Sequence, residues 1–279
     1  MRSLPRTNTR VIHLLALPFA ILLLISSGAS ADDWSYDFDG AEPAGWTIDH
    51  VTLPPGGTSA TFIASIESDG TDNHLRMSDT TNASATGSFG AFAGTGDIFM
   101  DAAISAEINI TQDTDDDLGV VLRVDPNTGA GYFGSVDFER GNACITKIQG
   151  YTTGVDIACS ADGLFTPTET YQLMFSAVGD STTNLQLDVY DSAGMLLETV
   201  LAVDDGSIDG FGAAYAGGVS GVFMVPMGET LADVEMDQLN GTFDNISAHA
   251  LPAVPEPNAG CLLAFGLFGI IGFRRRNRR

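Results

Sequence analysis

Residues 118–138 read Leu-Gly-Val-Val-Leu-Arg-Val-Asp-Pro-Asn-Thr-Gly-Ala-Gly-Tyr-Phe-Gly-Ser-Val-Asp-Phe, and this stretch decides the fold class. Its first seven residues place apolar side chains at every second position: Leu118, Val120, Leu122 and Val124. This period of two is typical of a β-strand with one buried face. Residues 125–129 form a turn sequence, because proline presets φ and glycine accepts positive φ. Since 132–138 is again strand-like, the stretch predicts a β-hairpin.

The same alternation recurs on both sides of this hairpin. Further strands are predicted at 61–67, 103–110, 144–148, 155–159, 171–178, 185–190, 195–203 and 221–225, and a short one around Phe89. The sequence Asp-Ser-Ala-Gly at 191–194 is a second hairpin turn. Because no window is a convincing amphipathic helix, the strands must pack as two sheets face to face. The sequence therefore predicts an all-β fold, a two-sheet antiparallel β-sandwich, in one domain at 32–253.

The N-terminus has the pattern of a secretory signal peptide. Arg2, Arg6 and Arg10 precede an apolar run from Val11 to Ile25, and Ala29-Ser30-Ala31 supplies the small residues that signal peptidase requires. We predict a signal peptide at 1–31, with cleavage before Asp32. An uncleaved anchor is the alternative.

The C-terminal residues, 254–279, predict a membrane segment. Val254, Pro255, Glu256 and Pro257 form a rigid break that a helix cannot cross. The following segment, 258–273, carries no charge and spans about 24 Å as a helix, which is slightly short of the bilayer core. Five arginines follow, at 274, 275, 276, 278 and 279. The positive-inside bias keeps them in the cytoplasm, so the domain must lie outside.

This order of tetrad, apolar helix and arginine cluster resembles the PEP-CTERM sorting signal of Gram-negative bacteria. The resemblance implies recognition by an exosortase, a membrane protease-transpeptidase that removes such tails. It also implies transient anchoring in the inner membrane and a final place on the cell surface or in the extracellular matrix. A plain single-span anchor is the alternative.

The exported part is strongly acidic. Of the twelve basic residues three lie in the signal and five in the tail, while only Glu256 of the 36 acidic residues lies outside 32–253. Four cations (Arg76, Arg123, Arg140 and Lys147) therefore face 35 carboxylates, a formal net charge of −31. Nucleic acid is excluded as a partner, because so few cations cannot offset repulsion from a polyanion. Solubility in a salty medium and binding of divalent cations both explain this charge.

A second resemblance is carried by the two ends of the domain. The front has Trp34-Ser-Tyr-Asp-Phe-Asp-Gly40 with Gly45-Trp46, and the back has Gly241-Thr-Phe-Asp-Asn-Ile246. Between them lie the strand sequences 118–125 and 185–191. This layout is similar to the concanavalin A-like, or laminin-G-like, jelly rolls of bacterial exported proteins. The resemblance implies that first and last strands lie side by side, and that a concave sheet binds carbohydrate in some members.

Catalytic patterns are few. The three histidines of the domain, at 50, 74 and 249, have no zinc-ligand spacing. Asp233, Glu235 and Asp237 alternate, so in a strand their carboxylates share one face about 6.5–7 Å apart, a separation that glycosidases use. A similar acidic strand occurs in laminarinase-type jelly-roll hydrolases, although the order of Glu and Asp differs. An exposed acidic loop is the preferred interpretation. Asp113 and Asp115–Asp117 are interpreted as solvated charges in a hairpin loop.

Cys144 and Cys159 are expected to form a disulfide. They lie on the predicted strands 144–148 and 155–159, and a hairpin centred on Tyr151-Thr152 sets them opposite each other. Cross-strand Cα separations of about 4.5–5.5 Å suit a disulfide, and an exported domain meets an oxidising compartment. Two buried free thiols are the alternative.

A structural calcium site is expected where the two ends of the domain meet. Asp39 and Asp244 would supply carboxylate oxygens, and backbone carbonyls would complete the shell. Jelly rolls of the resembled family often carry such an ion. Turn-capping aspartates are the alternative.

The sequence as a whole predicts an exported, exosortase-processed envelope or matrix protein whose domain is a non-enzymatic binding or structural module. Extracellular polysaccharide is the ligand class that the resemblance suggests. A glycoside hydrolase using Asp233, Glu235 and Asp237, and a purely structural surface or biofilm component, are the two rival hypotheses.

Overall fold

The computed structural model describes residues 34–39, 62–68, 70, 72–79, 89–93, 100–110, 116–125, 127–149, 153–226 and 240–251. These residues form fourteen strands and belong to one compact unit, Asp32–Arg279. The strands are β1 (Trp34–Tyr36), β2 (Phe62–Ser68), β3 (Asn73–Asp79), β4 (Phe89–Ala93), β5 (Ala102–Ile110), β6 (Asp116–Val124), β7 (Ala130–Asp137), β8 (Asn142–Gln149), β9 (Gly154–Cys159), β10 (Thr170–Val178), β11 (Thr183–Asp191), β12 (Leu196–Asp204), β13 (Val219–Pro226) and β14 (Asn240–Ala250).

The strands form two antiparallel sheets. Sheet A has the order β12-β11-β10-β5-β14-β3-β2, with β1 pairing with β14 beside this path. Sheet B has the order β4-β13-β6-β7-β8-β9. The two-sheet antiparallel β-sandwich predicted from the alternation is confirmed. Within the described ranges, no helix is long and apolar enough to cross a membrane, and the predicted spanning segment 258–273 lies outside those ranges.

The first described strand lies beside the last one. Tyr36 pairs with Ile246 and Trp34 pairs with Ala248, while the first half of β14 pairs with β3 instead. This is the adjacency that the jelly-roll resemblance implies. Between Asp244 and Ser247 the pairing of β14 with β5 shifts register, and Asn245 there adopts a φ of 48°. A β-bulge of this kind bends the strand and re-aims its side chains.

The core fills the space between the sheets. β5 and β10 pack against β6, and β11 and β12 pack against β8. The sheets approach closely at Gly134 of β7, where an added Cβ would lie 2.9 Å from the ring of Phe175. At Gly241 of β14 an added Cβ would lie within 2.3 Å of the Leu118 side chain. Both glycines are therefore required for the two sheets to approach each other.

Three local predictions need correction. Asn73–Asp79 was not predicted as a strand, but it forms β3, with Leu75 and Met77 buried between polar residues. Asp116 and Asp117 were interpreted as loop residues, but they begin β6, and Asp117 is only 7% exposed. Cys144 lies opposite Cys159, as the hairpin register predicts, but a bulge between Ile145 and Thr146 shifts the remaining pairs by one residue.

Candidate functional site

Each of the four cations of the exported domain forms an ion pair. Arg76 contacts Glu67 and Arg140 contacts Asp137, in both cases with a partly exposed arginine. The side chains of Arg123 and Lys147 have no exposed surface and lie inside the sandwich. Almost no positive charge is therefore left on the protein surface.

Lys147 is held from both sheets. It lies on β8 opposite Tyr132, which shares the inner face of sheet B with Gly134. Its Nζ lies 2.8 Å from Oδ2 of Asp204 on β12 and donates to the carbonyl oxygens of Gly212 and Ala213, each at 3.0 Å. These three acceptors satisfy an ammonium group completely. The group therefore serves to fix β12 and the segment 205–218 rather than to attack a substrate.

Tyrosine side chains complete this network. The Tyr132 hydroxyl donates to Oδ2 of Asp204 at 2.7 Å and accepts from the backbone N–H of Tyr215 at 2.9 Å. Burial alone would raise the pKa of Asp204, but hydrogen bonds from Lys147 and Tyr132 outweigh it and hold that pKa below its ordinary value. Burial raises the pKa of Tyr132, as does its bond to Asp204. At neutral pH the network is an ionised pair with a neutral phenol.

Arg123 joins the same network from β6. It adopts a φ of 56° where the pairing with β13 shifts register, and this turns its side chain to the inner side. The guanidinium donates to Thr183 Oγ1 at 2.9 Å and to the Tyr215 carbonyl at 2.6 Å, and it lies 3.3 Å from Oδ1 of Asp101. Burial lowers the pKa of Arg123, which nevertheless stays protonated. The arrangement joins the two sheets and offers no exposed nucleophile or base.

The outer face of sheet B, which points away from sheet A, is also buried. Its apolar cluster contains Val121, Val124, Phe133, Ile148, Val219 and Phe223, all 9% exposed or less. Phe133 and Phe223 meet edge to face with centroids 5.0 Å apart, and each is 2% exposed. In the described part of this face, these aromatic rings are not open platforms on which a sugar could stack.

Polar side chains occupy the other end of this outer face. Asp117 of β6 lies directly opposite Asp137 of β7, and Asn142 of β8 lies opposite Asp137 on its other side. These three side chains are 7%, 6% and 4% exposed. One row further along, the Oγ of Ser135 is completely buried and has no hydrogen-bond partner. Sequence reasoning missed this group, because it placed Asp117 in a loop.

The outer face of sheet A, which points away from sheet B, differs in charge from the two ends of sheet B's outer face. Between β10 and β12 its outward positions carry mostly uncharged polar and aliphatic side chains: Gln172, Met174, Ser176, Asn184, Gln186, Thr199, Leu201 and Val203. Asp188, the carboxylate described among these positions, is 4% exposed and accepts from Thr199 at 2.6 Å and from Gln186 at 2.8 Å. In a domain with 35 carboxylates, this uncharged area is unusual.

The structure places both predicted calcium ligands beside one dipeptide, Asp72-Asn73. Asp39 accepts a hydrogen bond from Nδ2 of Asn73 at 3.0 Å. Burial, together with the nearby carboxylates of Asp72 and Glu107, raises the pKa of Asp244 to about 6 against the lowering effect of the Asn245 N–H. Glu107 pairs directly with Asp244, and sequence reasoning did not name it or Asp72. Carboxylate oxygens are the ligands that calcium accepts, but among the described residues these carboxylates do not form a group of three whose oxygen atoms lie within 4.8 Å of one another.

The two cysteines of the domain are joined in a disulfide, with a Cα–Cα distance of 4.1 Å. Asp156 lies close enough to make a group of three potential metal ligands with them. Because both sulfur atoms are in the disulfide, no thiolate is available and the group does not bind metal. The proposed catalytic residues Asp233, Glu235 and Asp237, and the tail residues Val254 to Pro257, lie outside the described residues.

Comparison with known proteins identifies the C-terminal segment. Residues 253–277 match the model of the PEP-CTERM protein-sorting motif. The chain carries a PEP-CTERM sorting motif. It follows that the protein is exported, is held in the membrane until it is processed, and has an exosortase as processing partner. The motif begins three residues after Ala250, the last residue of β14.

No curated sequence matches this chain, but solved structures resemble it. Similar structures include the carbohydrate-binding module CBM66 from Bacillus subtilis, at 16% identity and a TM-score of 0.43 over 70% of this chain and 98% of that one. The cellulose-induced protein Cip1 has 13% identity and a TM-score of 0.45 over 78% of this chain and 97% of its own. The β-glucanase of Bacillus licheniformis has 9% identity and a TM-score of 0.45 over 81% of this chain and 100% of its own. Likeness at this level says nothing about what this chain binds.

Proposed function

We propose that this protein is an exosortase-processed component of the cell surface or extracellular matrix, and that its sandwich is a non-catalytic module that binds neutral polysaccharide. The position of the sorting motif supports the first part. Because β14 lies inside sheet A between β5 and β3 and ends before residue 253, removal of the tail leaves every described strand in place. The sandwich is then the part that the cell delivers.

The single observation that favours a polysaccharide ligand is the uncharged outer face of β10–β12. Amide and hydroxyl groups of Gln172, Asn184 and Gln186 can hydrogen-bond to sugar hydroxyls, while Leu201 and Val203 offer apolar surface to the sugar rings. Leu201 is 66% exposed and Val203 is 54% exposed, so both are accessible. A neutral glycan avoids the electrostatic repulsion that an acidic glycan would meet on a domain of charge −31.

The test is binding of the purified exported protein to a glycan array that contains neutral and acidic bacterial and algal polysaccharides. Leu201→Glu adds a charge to the proposed surface and should abolish binding to neutral glycans. Leu164→Glu is the matched control, because Leu164 is 44% exposed and lies in the loop between β9 and β10. Equal loss in both variants, or no glycan bound by the parent, favours the purely structural alternative.

The rival hydrolase hypothesis has a separate test. If the protein released reducing sugar from these polysaccharides, and Glu235→Gln abolished the release, the module would be a glycoside hydrolase. We propose the non-catalytic function because the described buried charges, Arg123, Lys147, Asp101 and Asp204, are engaged with one another and with backbone groups inside the sandwich.

We also propose that calcium binds at the group formed by Asp39, Asp72, Glu107 and Asp244. Support comes from the pKa of Asp244, which is raised first by burial and then by the neighbouring carboxylates of Asp72 and Glu107. A divalent cation would supply the missing charge. Thermal melting with calcium or with chelator, at fixed high ionic strength, should show a higher Tm with calcium. The increase should be absent in the Asp39→Asn/Asp244→Asn variant.

A further inference from the structure

The polar end of the outer face of sheet B brings together four oxygen-bearing side chains from three adjacent strands. Asp117, Asp137 and Asn142 form one row across β6, β7 and β8. Ser135 lies in the next row, two residues before Asp137 on the same face of β7. Directly opposed side chains have Cβ atoms about 4.5–5.5 Å apart, so their oxygen atoms can converge on one point.

Ser135 supplies the observation that points to a ligand. Its side chain has no exposed surface, and its Oγ has no hydrogen-bond partner. On the β6 side it faces Gly119, which has no side chain, so its nearest carboxylate on that strand is the diagonal neighbour Asp117. Buried hydroxyl groups are normally hydrogen-bonded, and one without a partner beside two carboxylates indicates a missing ligand.

Asn142 is oriented by its neighbours. Its Nδ2 donates to Oδ1 of Asp162 at 2.9 Å, so the amide nitrogen is already used. Its Oδ1 lies 3.5 Å from Sγ of Cys144, the residue directly opposite Ser135. The amide oxygen is therefore directed toward the row of Ser135 and remains available as a ligand.

The charge balance favours a cation. Asp117 and Asp137 are both more than nine-tenths buried and lie opposite each other, where two carboxylates repel. Arg140 contacts Asp137 from the surface, with its Nε 3.8 Å from Oδ2 and its side chain 54% exposed. Oδ1 of Asp137 accepts the Arg140 backbone N–H at 2.9 Å, and the 3.8 Å separation between Oδ2 and the Arg140 Nε is too long for a hydrogen bond.

We propose that Asp117, Asp137, Ser135 and Asn142 bind a hard divalent cation on sheet B. Carboxylate, hydroxyl and amide oxygens without thiolate or imidazole form the donor set that calcium accepts. The ion would neutralise the opposed carboxylates and give the Ser135 hydroxyl its missing partner. This site is separate from the group around Asp244, which lies on sheet A.

Calorimetric titration of the full chain with calcium tests the proposal. The chain is purified in detergent from a host without exosortase and carries Asp39→Asn and Asp244→Asn, so that only sheet B contributes. We expect one calcium ion to bind per chain. Asp117→Asn together with Asp137→Asn should abolish binding, and Ser135→Ala alone should weaken it about tenfold.

Asp156→Asn is the control, because it removes an exposed carboxylate of β9 without touching the four ligands. The Ser135→Ala variant keeps the test valid if the double aspartate variant does not fold, since alanine fits where serine does. Absence of binding in the background chain, or equal affinity in Ser135→Ala and its parent, would overturn the proposal.

Discussion

Lys147 and Asp204 are both fully buried and lie 2.8 Å apart, and their contact joins strand β8 of one sheet to strand β12 of the other. The ammonium group has no free donor, because the Gly212 and Ala213 carbonyls accept its other hydrogens. A pair with this geometry stabilises the fold mainly because either partner alone would be a buried uncompensated charge.

We therefore expect Lys147→Met to destabilise the protein by about 3–5 kcal/mol, because Asp204 would remain charged in the core. Lys147→Met combined with Asp204→Leu should recover most of this loss. The matched control is Arg76→Gln, which breaks the partly exposed pair with Glu67 and should cost less than about 1 kcal/mol. Urea unfolding of the four proteins measures these differences. Equal costs for the buried and the exposed pair would contradict this account.

Acid should weaken the same contact. The pKa of Asp204 in the folded state lies below its ordinary value, which is about 4. The ionised carboxylate therefore contributes fully to the stability of the fold above about pH 4, and this contribution is lost as the pH falls through the folded-state pKa. We expect unfolding curves measured from pH 5 to pH 2 to show a steep loss of stability. In Asp204→Asn the loss should be smaller, and an unchanged slope would rule out Asp204 as a cause.

Asp244 should have the opposite dependence. Its pKa is raised to about 6, so the folded protein prefers the protonated form and loses stability as the pH rises from about 4 through 6. Asp244→Asn should then raise the Tm at pH 8 in the presence of chelator and leave it nearly unchanged at pH 4. If calcium binds there, the same substitution should lower the Tm when calcium is present. An identical effect at both pH values would contradict the raised pKa.

The strands of the two sheets were largely predictable from the sequence. Alternation predicted most strands because burial of one face imposes a period of two. It missed β3, in which Leu75 and Met77 lie between His74 and Arg76 and so resemble a polar segment. It also could not separate Asp117 from the preceding aspartates, because only the start of β6 decides which carboxylate becomes buried.

The Lys147 network was not predictable in the same way. The only signal was a cation inside an apolar strand of a chain that has few cations. Its partner Asp204 lies 57 positions later on a strand of the other sheet, and only the packing of β12 on β8 brings the two together. Pairing of Cys144 with Cys159 could be derived, because a hairpin is a local structure.

The disulfide gives a further prediction. It closes a loop of 15 residues, and a loop of this length is worth about 3 kcal/mol in the chain-entropy model. We expect Cys144→Ser/Cys159→Ser to lower the stability by about this amount while the protein still folds. Mass spectrometry after alkylation without reductant should find no modified cysteine among these two in the exported protein. Two alkylated residues would show that the thiols are free.

Sorting can be tested independently of the sandwich. Glu256→Ala and Pro257→Ala alter the tetrad of the PEP-CTERM motif and should leave the protein in the membrane fraction at its unprocessed mass. Immunoblots of fractionated cells that contain an exosortase measure this. Ala253→Ser, just before the tetrad, is the control and should be processed normally. Normal processing of all three variants would show that the tetrad is not recognised, and the tail would then be interpreted as a plain membrane anchor.

The position of β14 also sets the order of events during export. This strand pairs with β5, β3 and β1, so the hydrogen bonds on one edge of each of these three earlier strands cannot form before β14 is present. A chain that crosses the membrane N-terminus first delivers β14 last. The sandwich therefore closes only when the sorting motif, which begins three residues after the end of the strand, has reached the membrane. We therefore expect completion of the fold and presentation of the motif to the exosortase to coincide at the membrane.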